Sequence, residues 1–305
     1  MNVVLRTEGY HPKIKAELFG MEDFKKVLLF MKKSTYPIVG IIGKNPTAHP
    51  NYFEFIEMCI KEEVYVTTRL DDSCDEDIIE RLAQIASINN LTSERNKIDF
   101  IIDLTNYSVN NSVIQYSVKK LGMWSAGTVV LSNSSVDMET IYNVVYENKM
   151  IPTLLVSLPL PIPYSVYRPI NKEEYESRLK LLMEGLDFRR KNGISLVLDC
   201  GIPACDLSKE LIGNLYMSPM GGLDFKCFPK CEVLPGLKVA YCGALAGESL
   251  VSLEDFDTFK DLINYLLVYF KNYDCLYEKC SDCLYKSKIC GGGCKGYKIN
   301  KNNVE

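Results

Sequence analysis

The chain has 305 residues, 47 % hydrophobic and 24 % charged, enough to bury a sizeable core in one large domain plus a small one, or in one extended barrel. A formal charge of −4 without any basic block excludes nucleic acid as the main partner, and the Lys-rich end after Cys294 reads as a solvated tail. No secretory signal is visible, and the longest apolar run, residues 150–163, is too short for a membrane span and carries four prolines, so a soluble cytoplasmic protein is expected with no membrane partner.

Residues 2–6 are a candidate first strand, followed by an amphipathic helix over 21–33 and an apolar, β-branched strand over 37–42. A helix over 52–62, a strand over 64–68 and a helix over 75–89, with Asp75 placed to cap it, come next. Residues 98–104 read as a strand ending near Asp103, with burial expected on both faces. The alternation continues as helix 112–121, strand 126–131, helix 138–147, strand 150–157, a long charged helix over 172–192 and a last strand over 194–198.

Strands alternating with helices at this spacing imply βαβ units around a parallel sheet. The fold class expected is α/β, a partial (β/α) barrel of about six parallel strands, with a doubly wound sheet as the competing arrangement. Composition changes at Cys200. The division expected is therefore 1–199 for the barrel and 200–305 for a small cysteine-rich domain with one helix around 253–272.

Of twelve cysteines, only Cys59 and Cys74 precede residue 200, and both read as core residues. The other ten lie between Cys200 and Cys294, while the two histidines, His11 and His49, are far upstream. A cytoplasmic chain of this size has no need of disulfides, so clustered thiols point to metal. The segment CSDCLYKSKICGGGC spaces Cys280, Cys283, Cys290 and Cys294 as C-x2-C-x6-C-x3-C. A C-x2-C turn lets two thiolates converge, and the glycines 291–293 let the backbone fold closely and aim N–H groups at sulfur. Spacing leaves zinc and iron–sulfur both open, since each takes four thiolates. Cys200 and Cys205 in DCGIPAC, Cys227 and Cys231 in CFPKC, and Cys242 after LKVAY supply enough thiols for a second site, with Cys275 as an ambiguous extra.

These residues resemble radical S-adenosylmethionine enzymes with a SPASM-type C-terminal domain, among them maturases of ribosomally made peptides and anaerobic sulfatase activators. The C-x2-C and the Gly-rich C-x3-C look like the family's C-terminal ligands, and DCGIPAC and PGLKVAYC look like the approach to an auxiliary cluster. The resemblance covers most of the chain. It implies one or two 4Fe–4S clusters rather than zinc. A second likeness is IVGIIGKNPTAHPNYFEFIEMCIKEEVYVTTR, which resembles the second barrel strand, its loop and the following helix and strand. The family's loop reads Gly-Gly-Glu-Pro-Thr-Leu-His-Pro and cradles the cofactor's amino group. Here it is Gly43, Lys44, Asn45, Pro46, Thr47, Ala48, His49 and Pro50, so Gly43, Asn45 and Pro46 are the candidate cofactor-binding residues.

The pattern departs from the family in three places. Asn45 replaces the carboxylate and Lys44 brings a cation, which removes a charge-assisted hydrogen bond and adds repulsion toward an ammonium. The family's C-x3-C-x2-C, whose thiolates hold the cluster that reduces the cofactor, has no counterpart, since no cysteine precedes Cys59. The family's further auxiliary ligand is also missing, because none follows Cys294.

Other polar residues at expected strand ends are Arg69 with Asp71, Asp103 with Asn106, and Ser132 with Asn133, read as turn chemistry. His49 reads as a structural loop residue and Trp124 as core. No catalytic residue is singled out.

The function expected is an iron–sulfur protein related to peptide maturases, degenerate or accessory, that does not cleave S-adenosylmethionine alone. Its partner would be a precursor peptide or a second radical enzyme. The alternatives are an active enzyme whose N-terminal motif is missing from this chain, and a zinc-stabilised peptide- or protein-binding protein.

Overall fold

The computed structural model describes residues 1–7, 14–35, 37–43, 45–91, 97–107, 111–131, 136–157, 172–198, 204–216, 227–248, 250–273, 278–284, 286 and 290–296. Two compact units emerge. The first comprises residues 1–101, 162–164 and 228–269, and the second residues 102–161, 165–227 and 270–305.

The first unit opens with β1 (Asn2–Val4), α1 (Met21–Lys32), β2 (Ile38–Ile42), α2 (Tyr52–Lys61), β3 (Tyr65–Leu70) and α3 (Glu76–Leu91), and enters β4 (Ile98–Asp103). β1 pairs in parallel with β2, Asn2 beside Gly40, and β2 in parallel with β3, Ile38 beside Tyr65. Apolar side chains on α1 and α2 recur at helical spacing, so each helix buries one face. The rings of Phe24 and Phe55 stack at 4.2 Å where these faces meet. Beneath them Val3, Val39, Ile41 and Val66 are wholly buried.

Along β4 burial alternates residue by residue, so the expectation of a strand buried on both faces fails. Asp99 breaks the apolar run and accepts a hydrogen bond from the Tyr65 hydroxyl, which faces it from the neighbouring strand. Asn90 joins α3 to this strand. Its Nδ2 donates to the Ile98 carbonyl at 2.7 Å, and its Oδ1 accepts from the N–H groups of Lys97 at 2.8 Å and Ile98 at 3.2 Å. Asn90→Leu strands the two buried backbone groups of Ile98 and the half-buried Lys97 N–H. Chemical denaturation is expected to show a loss of about 2–4 kcal/mol; a loss within experimental error would remove Asn90 from the stability account.

The second unit carries α4 (Ser112–Leu121), β5 (Ser125–Val130), α5 (Met138–Glu147), β6 (Thr153–Ser157), α6 (Lys172–Lys180), α7 (Leu186–Lys191), β7 (Ser195–Leu198) and α8 (Lys209–Tyr216). β5, β6 and β7 pair in parallel in that order, with Gly127 beside Leu154 and Thr153 beside Ser195. Asn111 and Asp137 cap α4 and α5, each accepting from the backbone N–H three residues on, at 3.2 and 3.1 Å. The long helix expected over 172–192 is two helices. Gly185 sits at φ 63° between them, a left-handed conformation that ends one helical run and starts the next. Seven strands, β1 to β7, thus alternate with helices, and the candidate strand at the N-terminus is realised as β1.

The chain then returns to the first unit through β8 (Glu232–Leu234), β9 (Lys238–Ala240), β10 (Val251–Ser252) and α9 (Phe259–Tyr269). β8 joins β1 in parallel, while β9 pairs antiparallel with both β8 and β10. Among the described residues no helix is long and apolar enough to cross a membrane.

Candidate functional site

At the C-terminal end of β2 the chain makes the loop that resembles a cofactor cradle. Gly43 has φ 133°, and a Cβ there would meet the Arg6 carbonyl at 3.2 Å, so the bare backbone lets the loop pass close to β1. Lys44 lies outside the described residues. Asn45 is left-handed at φ 47° and ψ 65°, a conformation Asn tolerates better than most residues. Pro46 opens a single 3-10 turn, Pro46–Ala48, and is buried.

The Asn45 side chain is already engaged. Its Oδ1 accepts from the Thr47 hydroxyl at 2.8 Å, and Thr47 Oγ1 in turn accepts from the Cys74 thiol at 3.7 Å. Thr47 and Cys74 are both buried, and burial pushes the Cys74 thiol up to about 11. Asn45 Oδ1 keeps a second lone pair, but a neutral amide brings no negative charge to an ammonium where a carboxylate would. His49 is structural as expected. It is buried, its Nδ1 accepts from the Asn51 N–H at 3.1 Å, and burial holds its pKa below the usual value.

The last cysteines lie in the second unit. Cys280 ends a 3-10 turn, Glu278–Cys280, and the Cys283 N–H donates to its carbonyl at 3.4 Å, so the C-x2-C segment is a turn. The chain comes back alongside itself at the bridge between Lys286 and Cys290. Gly292 and Gly293 then take φ 83° and 94°, and the Gly292 N–H donates to Cys290 Sγ at 3.4 Å. The glycine run thus does what its sequence implies and turns an amide onto sulfur. Cys280, Cys290 and Cys294 are buried, and Cys283 is half-buried.

The second cysteine group is dispersed. Cys200 lies outside the described residues, as does Cys275. In the second unit Cys205 is exposed in the turn Ala204–Asp206 and Cys227 is half-buried. In the first unit Cys231 and Cys242 flank the open end of the β8–β9 hairpin, whose register sets Glu232 against Ala240. Both are buried, and burial pushes the Cys231 thiol up to about 12, with the Met1 ammonium opposing. Cys59 is a core thiol, as expected, likewise pushed up to about 12 by burial. Among the described residues no three side chains of His, Cys, Asp or Glu gather as ligands of one ion.

The polar residues at strand ends serve turns. Asp71 accepts from the Ser73 N–H at 2.9 Å, and Asp103 accepts from the N–H and hydroxyl of Thr105 at 3.0 and 2.6 Å. Trp124 is buried. His11, Ser132 and Asn133 fall outside the described residues. Lys295 corrects the reading of everything after Cys294 as a solvated tail. Its side chain is buried and Nζ donates to the Phe270 carbonyl at 3.1 Å. Sequence reasoning also missed Arg189, which is 1 % exposed and whose guanidinium nitrogens have no hydrogen-bond partner among the described residues. The sequence offered no signal for either, since both stand in lysine- and arginine-rich runs.

No protein-family model matches the chain, and no curated protein does. Solved structures match. SuiB of Streptococcus suis bound to S-adenosylmethionine is similar with a TM-score of 0.62, at 14% identity, over 96% of this chain and 72% of its own. SuiB bound to precursor peptide SuiA gives 0.62 at 14% identity, over 96% and 71%. Histidine-tagged anSMEcpe with bound AdoMet gives 0.57 at 15% identity, over 97% and 88%. At these identities the likeness shows the fold. It is an α/β fold like that of radical S-adenosylmethionine/SPASM enzymes, with a mostly parallel sheet matching their partial barrel and a cysteine-rich C-terminal region.

Proposed function

We propose that this chain is an iron–sulfur protein and a degenerate or accessory member of the peptide-maturase group, one that does not cleave S-adenosylmethionine by itself. The observation that carries this reading is the state of Asn45. The loop keeps its frame in Gly43 and Pro46, yet the residue that would meet the cofactor's ammonium is an amide whose oxygen is held by Thr47 at 2.8 Å. The absence of any cysteine before Cys59 supports the same conclusion for these 305 residues.

Four thiols are the donor type an iron–sulfur cluster takes, although among the described residues no three of them gather at one point. Cys280, Cys283, Cys290 and Cys294 are thiols on two tight turns, three of them buried, with a backbone N–H already on sulfur. Such N–H groups offset the negative charge of thiolates. The resemblance also implies a second 4Fe–4S cluster, but Cys205 and Cys227 lie in the second unit and Cys231 and Cys242 in the first, so among the described residues neither unit gathers four of these thiols. A bound cluster supplies one-electron chemistry, and the protein supplies its ligands and their hydrogen bonds. A peptide partner is supported by the similar structures, where SuiB is bound to precursor peptide SuiA and anSMEcpe to the Cp18Cys peptide. A partner radical enzyme is the other candidate, in a cytoplasmic setting that keeps thiols reduced.

A second reading has one observation in its favour. The similar structures include chains bound to S-adenosylmethionine, so a longer protein supplying C-x3-C-x2-C upstream of these residues would be an active enzyme.

Anaerobically purified protein is expected to be brown, with broad visible absorbance and both iron and acid-labile sulfide. Stoichiometric zinc without sulfide, in protein made under iron-replete conditions, overturns the iron–sulfur assignment and leaves the zinc-stabilised alternative.

A further inference from the structure

In the first unit a surface groove of about 380 Å³ runs between α1 and the segment that follows β10. Leu29, Phe30, Leu253 and Phe256 give it an apolar lining. One wall carries Lys26 and Lys33, the other Glu254 and Asp257. Lys26 and Glu254 already pair at 2.7 Å. Among the described residues, the Lys33 ammonium and the Asp257 carboxylate have no partner.

The apolar surface does not stop at the groove. The ring of Phe256 lies 5.3 Å from that of Tyr265, and Tyr265 stacks on Tyr269 at 5.9 Å along α9. Val268 stands three residues from Tyr265, on the same helix face. Leu29 is 65% exposed, Val268 73%, Tyr269 44% and Tyr265 39%. Monomeric proteins seldom leave a continuous apolar patch of this kind in water.

We propose that this face is the contact between two copies of the chain. The argument is charge complementarity. A two-fold contact sets one patch against itself, so the patch must carry its own complement. An apolar centre with one unpaired cation on one wall and one unpaired anion on the other meets that condition. The two-fold axis brings Lys33 of each copy to Asp257 of the other, while Leu29, Phe256 and Val268 fill the middle. A partner of unrelated sequence would need to reproduce the same arrangement of charge.

The test is sedimentation equilibrium of the purified full chain across a concentration series, with circular dichroism to confirm folding. A reversible dimer is expected, abolished by Leu29→Glu with Val268→Glu. Lys33→Asp alone and Asp257→Lys alone each place like charges together and are expected to weaken association by about tenfold or more. The double variant restores opposite pairs and should return to within about threefold of the original chain. That rescue distinguishes a two-fold contact from loss of fold or a loss of general stickiness. A chain monomeric at every concentration overturns the proposal, even where the groove then takes up an added peptide. So does a dimer untouched by the Leu29 and Val268 changes, or a double charge reversal no better than either single one.

Discussion

Incubated with dithionite and S-adenosylmethionine, the reconstituted chain of 305 residues is expected to yield no 5′-deoxyadenosine above a protein-free control. Two independent features lead there. Reductive cleavage needs an electron delivered to the bound cofactor, and the resemblance assigns that task to thiolates of a C-x3-C-x2-C motif. These residues contain no cysteine before Cys59, a core thiol held at about 12 by burial. Separately, Asn45 offers the cofactor's ammonium no carboxylate, and its oxygen is engaged by Thr47. Losing one charge-assisted hydrogen bond costs about 1.5–3 kcal/mol, roughly one to two decades in affinity. Weakened binding alone leaves slow turnover, whereas a missing electron donor leaves none, so the two causes separate experimentally. Slow but catalytic product, lost in the Cys280→Ala, Cys283→Ala double variant, overturns the degenerate reading. Product that appears only when a cysteine-complete second chain is added supports the accessory role.

The parts of this molecule that sequence revealed are those governed by local rules. Helices α4 and α5 begin and end where apolar spacing puts them, and the structure adds Asn111 and Asp137 as their caps. The glycine run before Cys294 promised amides turned inward, and the Gly292 N–H is on Cys290 Sγ. Where sequence misled, a single residue overrode the local pattern. Gly185, at φ 63°, splits a charged run that reads as one continuous helix. In β4 one face, carrying Asp99, Ile101 and Asp103, stays half-buried, and Tyr65 across the sheet gives the Asp99 carboxylate a partner.

Other features depend on residues far apart in sequence, and no periodicity reports them. Asn45 looks like a lost ligand in the sequence, but its orientation is set by Thr47 and by Cys74, which arrives from beyond β3. Lys295 follows the last cysteine in a lysine-rich stretch, yet the Phe270 carbonyl draws it inside. In both cases a partner that folding supplies fixes a polar side chain, and for Lys295 it is what makes burial tolerable.

Replacing Cys283 or Cys290 with Ala is expected to release iron and open the cysteine segment, residues 278–296, to protease while the first unit persists. The reason lies in what else holds the terminal segment. Residues 278–284, 286 and 290–296 contain a 3-10 turn, Glu278–Cys280, and a single bridge between Lys286 and Cys290, with no strand longer than that. Its buried side chains are Cys280, Cys290, Cys294 and Lys295, so the groups facing inward are thiols and an ammonium rather than large apolar side chains, and Leu284 is 82% exposed. Such a segment has little hydrophobic burial to set against the conformational entropy of ordering it, about 1–2 kcal/mol per residue for backbone alone. Metal binding can supply the difference, since structural thiolate sites contribute on the order of 10 kcal/mol and that energy is folding energy. Limited proteolysis read by mass spectrometry should therefore show cleavage after Lys279, Lys286 or Lys295 at least about tenfold faster in either variant, because removal of a ligand raises the population of the locally open state. Fragments covering β1 to β4 should survive as in the parent protein, and Asn90→Leu should produce the opposite pattern, weakening that unit without loss of iron. Unchanged cleavage in a variant shown by iron analysis to have lost its metal would mean that the cysteine segment orders itself, and the metal would then be a passenger on a preformed loop.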